Sequence, residues 1–160
     1  MILYQGADMK SICAINKPAS ALSERLMHRL KRLQQKLRAA MDKSLSEVAL
    51  TGPQYAVLAA LEGIPGSSSA EIARECFVTA QTLNEIVQGL TANRLIRRQE
   101  PARGRKVKLF LTRGGRERLV RAHQIVMAVE KNTLLYLKPR EQAQFLGLLD
   151  LCGTNPDADG

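Results

Sequence analysis

The chain has 160 residues, 45% hydrophobic and 24% charged, which is enough apolar material for one globular domain with a core of its own. Its 24 Lys and Arg against 15 Asp and Glu leave a net charge of +9, a bias toward polyanionic partners such as nucleic acid or an anionic membrane surface. No apolar run approaches a membrane span and the N-terminal MILYQGADMKSICAINKP lacks the continuous apolar core of a signal peptide, so a cytoplasmic protein outside the membrane is expected.

Helical periodicity runs through most of the chain. From about Ala19 to Asp42, Leu22, Leu26, Leu30, Leu33 and Leu37 form one stripe while Arg25, Arg29, Arg32 and Lys36 cluster beside it, the pattern of a long amphipathic helix. That pattern fits a core helix with a solvated basic flank, and it also fits a partner-binding or membrane-surface helix. Thr51-Gly-Pro-Gln54 reads as a capping box with Pro53 in the first turn, so a helix is expected to follow through Leu61. Gly63, Pro65, Gly66 and Ser67 end it, and Ser68-Ser-Ala-Glu71 is a second capping box opening a short helix around Ile72 and Ala73.

Phe77-Val78 reads as a tight turn, after which Thr79 is placed to cap a further helix. In that helix Leu83, Ile86, Val87 and Leu90 occupy i, i+3, i+4 and i+7, a buried stripe that leaves Gln81, Thr82, Asn84, Glu85 and Gln88 outside. A short helix, a tight turn and a second helix with a hydrogen-bonding outer face make a helix-turn-helix, whose second helix enters the major groove of DNA.

The stretch RRQEPARGRKVKLFLT, residues 97–112, follows at once and is dense in Lys and Arg. Val107, Leu109 and Leu111 alternate with Lys106, Lys108 and Phe110, the period of a strand with one buried face. Ile96 to Gln99 can pair with it across a loop from Glu100 to Arg105, in which Pro101 and Gly104 supply turn chemistry. A helix-turn-helix followed by a basic two-stranded hairpin is a winged helix, and the tip of such a wing suits a narrow minor groove, whose negative potential favours inserted arginine.

Thr112 can cap a long helix in which Leu119, Ala122, Val126, Val129, Thr133 and Leu137 approximate a 3.5-residue seam. Pro139 then opens a last helix carrying Ala143, Leu146 and Leu149. The apolar stripes at the two ends of the chain exceed what one lobe of this size requires, and a dimerisation subdomain absorbs them. The expected fold class is therefore mostly α with a small β-hairpin wing, a winged helix-turn-helix with N- and C-terminal dimerisation helices.

Taken in succession, LTGPQYAVLAAL, AEIARECFVTAQTLNEIVQGLTANRLIRR and KVKLFLTRGGRERL resemble the multiple-antibiotic-resistance-regulator (MarR) family of bacterial transcription factors over roughly residues 20–153. The resemblance implies a single domain over 1–160, with dimerisation helices at about 19–45 and 113–153 around a DNA-binding lobe at about 51–112. It implies a homodimer reading a pseudo-palindromic DNA operator, usually released by a small ligand or by thiol oxidation. Arg105 matches the family's groove-inserting arginine, but Arg103 stands where the family has Asp, and Glu85 and Gly89 stand where it often has arginines. Phosphate binding is then expected mainly from the wing, through Arg97, Arg98, Arg103, Arg105 and Lys106. Base reading is expected from the helix that Thr79 opens, through Thr79, Gln81, Thr82, Asn84, Glu85 and Gln88, with amides of Gln81 and Asn84 suited to adenine, the Thr82 hydroxyl able to serve any base and a Glu85 carboxylate able to accept from cytosine.

Two ways of releasing DNA compete. A small anionic or aromatic effector would meet His28, Arg29 and Arg32 on the first helix. Oxidation would use a thiol, with Cys13 and Cys76 as candidates, although neither matches the family's redox position. The three cysteines, Cys13, Cys76 and Cys152, are odd in number and widely spaced, forming neither a metal pair nor a disulfide framework, so reduced thiols and no metal or cofactor are expected. Enzyme motifs are lacking, and His28 and His123 each sit isolated on a helix. Three Phe, three Tyr and no Trp leave few platforms for stacking single-stranded RNA. The remaining alternative is an adaptor that does not bind DNA, motivated by Glu85 and Gly89.

Overall fold

The computed structural model describes residues 25–99 and 107–153. In chain order it contains α1 (Leu26–Leu45), a single 3-10 turn (Ser46–Val48), α2 (Gly52–Gly63), α3 (Ser69–Glu75), α4 (Ala80–Ala92), β1 (Ile96–Gln99), β2 (Lys108–Leu111), α5 (Arg113–Thr133) and α6 (Pro139–Gly153). No helix among the described residues is long and apolar enough to cross a membrane. The chain forms two compact units, Met1–Ala39 and Ala40–Gly160.

In the first unit α1 carries the expected stripe, and Leu26, Met27, Leu30 and Leu33 are exposed along it. Residues 19–24, where the sequence places the start of this helix, lie outside the described residues. The helix continues to Leu45, past the expected end at Asp42.

The second unit holds the core. Leu45, Val57, Leu58, Leu61, Ile72, Leu83, Val87, Leu90, Leu109 and Leu119 are all fully buried. Burying each such side chain stabilises the fold by roughly 1.5–3 kcal/mol. Both capping boxes form. The Gln54 N–H donates to Thr51 Oγ1 at 3.4 Å while the Thr51 N–H donates to Gln54 Oε1 at 3.0 Å, and Ser68 and Glu71 make the same exchange at 3.4 and 2.7 Å. The Gly52 N–H at the head of α2 donates to Asp42 Oδ1 at 2.9 Å, which ties α2 to the end of α1. Thus five backbone donors at the starts of α2 and α3 find side-chain acceptors.

β1 and β2 pair antiparallel with Ile96 opposite Leu111, Arg97 opposite Phe110, Arg98 opposite Leu109 and Gln99 opposite Lys108. A further bridge joins Ser68 to Lys108, so the segment before α3 lies along the hairpin's edge. Gly66 makes the approach, in left-handed backbone at φ +77°, with the Phe110 ring so close that a Cβ would meet it at 2.9 Å.

α5 departs from the sequence expectation in two ways. It ends at Thr133, so Leu137 is outside the helix. The carbonyls of Leu134 and Leu137 accept instead from the Gln142 side-chain amide, at 3.2 and 2.9 Å, and the chain turns into α6. The seam is also not free for a partner, because Leu119, Ala122 and Val126 belong to the core of the second unit. By contrast α6 has no buried residue, and Leu146, Leu148, Leu149 and Leu151 stand exposed on it.

His123 is not isolated. From α5 its Nδ1 meets the Tyr55 hydroxyl at 3.0 Å and its Nε2 meets Glu62 Oε2 at 3.0 Å, bridging to α2 at two points. The Tyr55 and His123 rings meet edge to face at 5.5 Å. Burial, and then the nearby Glu130 and Glu62 carboxylates, raise the Tyr55 pKa, so its hydroxyl stays protonated.

The junction of hairpin and α5 is the tightest point of the fold. The Leu95 carbonyl accepts from the Thr112 N–H at 3.0 Å, the Thr112 hydroxyl hydrogen is shared between the Arg94 and Leu95 carbonyls at 2.8 and 3.1 Å, and Thr112 Oγ1 caps α5 by accepting from the Gly115 N–H at 2.9 Å. Gly115 is buried, and a Cβ on it would overlap the backbone carbonyl of Leu95. Gly115→Ala is therefore expected to destabilise the protein by about 3 kcal/mol. Urea unfolding should show a lower midpoint at unchanged slope; an unaltered midpoint would mean that this close approach is not a constraint.

Candidate nucleic-acid interface

The helix-turn-helix is assembled by main-chain bonds and one cap. α3 closes with the Cys76 N–H donating to Ile72 O at 2.9 Å, then the Phe77 N–H to Arg74 O at 3.1 Å and the Val78 N–H to Ala73 O at 3.0 Å. Thr79 opens α4, its Oγ1 accepting from the Thr82 N–H at 3.1 Å and sharing a hydrogen with Thr82 Oγ1 at 2.9 Å. Both threonine hydroxyls are thus engaged in the cap, while each side chain remains exposed.

Leu83, Val87 and Leu90 are fully buried, and Ile86, expected with them, is half-buried. Their burial fixes the rotation of α4 about its own axis. Gln81, Asn84, Glu85 and Gln88 are consequently all exposed, at the i, i+3, i+4 and i+7 positions of one face. None of the four makes a side-chain hydrogen bond or ion pair with another described residue. The row runs about 10 Å along the helix, or roughly three base-pair steps of duplex DNA. Gly89 lies half-buried behind it.

Arg97 and Arg98 are exposed on β1 and, as neighbours in a strand, project to opposite faces of the hairpin. Arg97 lies over the Phe110 ring, its guanidinium carbon 4.5 Å from the centroid, a cation–π contact that holds it on the outer face. The two arginines thus serve different directions. Arg103, Arg105 and Lys106, at the expected wing tip, lie outside the described residues.

The candidate effector residues all sit on α1 in the first unit, His28 half-buried and Arg29 and Arg32 exposed. The second unit has two open hollows. One hollow, of about 380 Å³, lies between the end of α2, the hairpin's outer face and the start of α5, with Glu62, Arg97, Phe110, Arg113 and Arg116 around it. The other, of about 400 Å³, is floored by Ala56, Ala59, Ala60 and Gly63 on α2 beside Cys76.

Of the candidate thiols, Cys13 lies outside the described residues. Cys76 is half-buried at the end of α3, and burial, followed by the adjacent Glu75 carboxylate, pushes its pKa up. Such a thiol is poorly nucleophilic at neutral pH. No group of His, Cys, Asp and Glu able to hold a metal occurs among the described residues.

Sequence reasoning missed three features: the Tyr55–His123–Glu62 chain, the Arg97–Phe110 contact and the exposed ring of Phe77. The first joins residues more than sixty positions apart, and no local pattern announces it. The second follows from strand register alone and was readable once the hairpin was aligned.

Known proteins match this arrangement. The family model described as MarR family matches residues 50–106. The HTH-type transcriptional repressor Rv2887 of Mycobacterium tuberculosis is 33% identical over 120 residues, covering 74% of this chain and 86% of the repressor. Its crystal structure in complex with DNA superposes with a TM-score of 0.69 over 81% of this chain and 98% of that one, and it has also been crystallised with salicylic acid. The transcriptional regulator HosA of Escherichia coli is 32% identical over 130 residues, covering 81% of this chain and 95% of HosA. The PcaV transcriptional regulator of Streptomyces coelicolor, in complex with its natural ligand, superposes with a TM-score of 0.75 at 29% identity over 89% of this chain and 99% of that one. With the helix-turn-helix and its hairpin in place and a third of its residues shared with a repressor over most of both chains, the protein belongs to the MarR family of DNA-binding transcriptional regulators.

Proposed function

We propose that the protein is a cytoplasmic homodimeric repressor that reads a pseudo-palindromic duplex operator and leaves it when a small anionic or aromatic effector binds, acting by binding rather than by catalysis. The carrying observation is the row Gln81, Asn84, Glu85 and Gln88, without a side-chain partner among the described residues and held outward by the buried stripe of α4. Amides in such a row pair with adenine, and a carboxylate accepts from the cytosine amino group. Thr79 and Thr82 contribute through the cap and through their methyl groups. Dimerisation is supported by the leucines left exposed on α1 and α6, and two symmetric lobes match an inverted repeat.

Selection of bound duplexes from a random pool should return inverted repeats with half-sites about 10 base pairs apart, or a multiple of that spacing. Repeats without two-fold symmetry would remove the dimeric reading. On the selected duplex Asn84→Ala should weaken binding by roughly 1–3 kcal/mol while changing affinity for random DNA little. Equal losses on both would take Asn84 out of base reading.

The wing carries the phosphate term, through Arg97, Arg98, Arg103 and Lys106, with Arg105 in the minor groove. Arg105→Ala should cost about 1–3 kcal/mol on the selected duplex, and Arg103→Ala should weaken binding to all duplexes and lower the salt slope by about one ion. If neither affinity nor salt slope moves, the wing is not a DNA element.

Release by a ligand, with His28, Arg29 and Arg32 as its polar contacts, is supported by the salicylic acid complex of the related Rv2887 and by the raised pKa of Cys76. Salicylate should release DNA from the wild type and from a Cys13→Ser, Cys76→Ser, Cys152→Ser protein alike. Alkylation of Cys76 should accelerate only at a pH above that of a free cysteine, because burial keeps the thiol protonated. Release of the wild type but not the triple variant by peroxide would establish the oxidation mechanism instead.

A further inference from the structure

Phe77 breaks two rules at once. It ends α3 in left-handed backbone at φ +53°, where glycine is favoured because a Cβ crowds the neighbouring carbonyl. Its side chain is also 97% exposed, so the ring adds nothing to the core. The turn has no need of the ring, since the bonds from Phe77 N–H to Arg74 O and from Val78 N–H to Ala73 O are main-chain bonds that glycine would make as well. The other non-glycine residues in left-handed backbone among those described are Ala49 and Arg94, one small and one polar. Only Phe77 combines the strain with a large solvated apolar group. Strained residues gather where a fold serves a ligand, and here the position says which.

Phe77 precedes the α4 cap, Thr79, by two residues, so their Cα atoms are at most about 7.6 Å apart. A nucleotide touching the first turn of α4 is within a phenyl ring's reach of that point. An apolar protein partner would call for a contiguous apolar patch, but the exposed neighbours in sequence are Arg74, Glu75, Thr79 and Ala80. A large ring whose exposed sequence neighbours are three polar side chains and one alanine fits a surface that itself alternates phosphate, sugar and methyl, which is the edge of a DNA groove.

We propose that Phe77 is a DNA-contacting residue, its ring laid against an apolar part of the nucleotide beside the first turn of α4, either a thymine C5-methyl or the carbon face of a deoxyribose. The inference rests on the reading of α4 as the recognition helix. Apolar contact of a phenyl ring with the thymine methyl adds discrimination without a hydrogen bond, which suits a helix whose start carries no arginine.

The test uses full-length protein and a short duplex selected by the wild type from a random pool. Phe77→Gly and Phe77→Asn both put a residue that tolerates left-handed backbone into the turn, so each should melt at or a few degrees above the wild-type temperature. Each should bind the duplex about fourfold more weakly, the worth of roughly one buried methylene. The same duplex made with deoxyuridine in place of thymidine then separates the two contacts. If the methyl is the contact, the substitution abolishes the difference between wild type and variants; if the sugar is, the fourfold ratio persists. Variants that bind as tightly as the wild type overturn the proposal and leave α4 as the recognition helix. Variants that melt markedly lower overturn it as well, since the ring would then be structural. A wild type that selects no duplex at all removes the α4 reading together with this one.

Discussion

The rotation of α4 about its own axis is the constraint on which everything functional in this molecule depends. Leu83, Val87 and Leu90 are wholly out of water, and turning the helix by one residue, about 100°, would drag polar side chains into the core while exposing leucine. Burying several unpaired amides while exposing three apolar side chains costs more than the base contacts those amides could make, so the core and not the DNA decides which residues face outward. Gln81, Asn84, Glu85 and Gln88 are therefore presented before any partner arrives. Preorganisation of this kind spares the complex the entropy of ordering those side chains' backbone on binding.

The hairpin is held to the same core by a different device. Leu109 and Leu111 anchor β2 from inside, and the Leu95 carbonyl receives two bonds from Thr112 at the start of α5. Gly115 allows α5 to come this close. The base of the wing, the end of α4 and the start of α5 are thereby joined directly. His123 adds a second tie, since its ring is bonded to Tyr55 and Glu62 on α2 from the middle of α5. Side-chain ties at both ring nitrogens resist sliding of one helix on the other better than apolar contact alone, which is nearly indifferent to small shifts.

The distribution of apolar surface divides the labour along the chain. Core residues of α2, α4 and the first half of α5 are saturated with neighbours in the single chain, while α6 buries nothing and α1 exposes leucine along its first turns. The surplus thus sits on the terminal helices. Positive charge is exposed on the hairpin, at Arg97 and Arg98.

Much of this was legible in the sequence because local chemistry specified it. Thr51, Ser68, Thr79 and Thr112 each announce a helix start through a side chain that satisfies a donor three residues on, and all four caps form. Periodicity of 3.6 on α4 and of 2 on β2 gave the buried faces, since burial on each element is a property of spacing. Legibility ended where contacts cross the chain. The seam of α5 has the spacing of an interface and of a core alike, and only packing assigned Leu119, Ala122 and Val126 to the core. The early end of α5 came from Gln142, which reaches back to carbonyls five and eight residues before it. His123 reads as a lone histidine until tertiary structure brings Tyr55 and Glu62 to its two nitrogens. Sequence alone determined which elements form and which face of each is apolar, because those follow from bonds and spacings of a few residues. Tertiary structure decided which apolar faces are already covered and which polar groups meet, because that depends on distances between segments that no local pattern encodes.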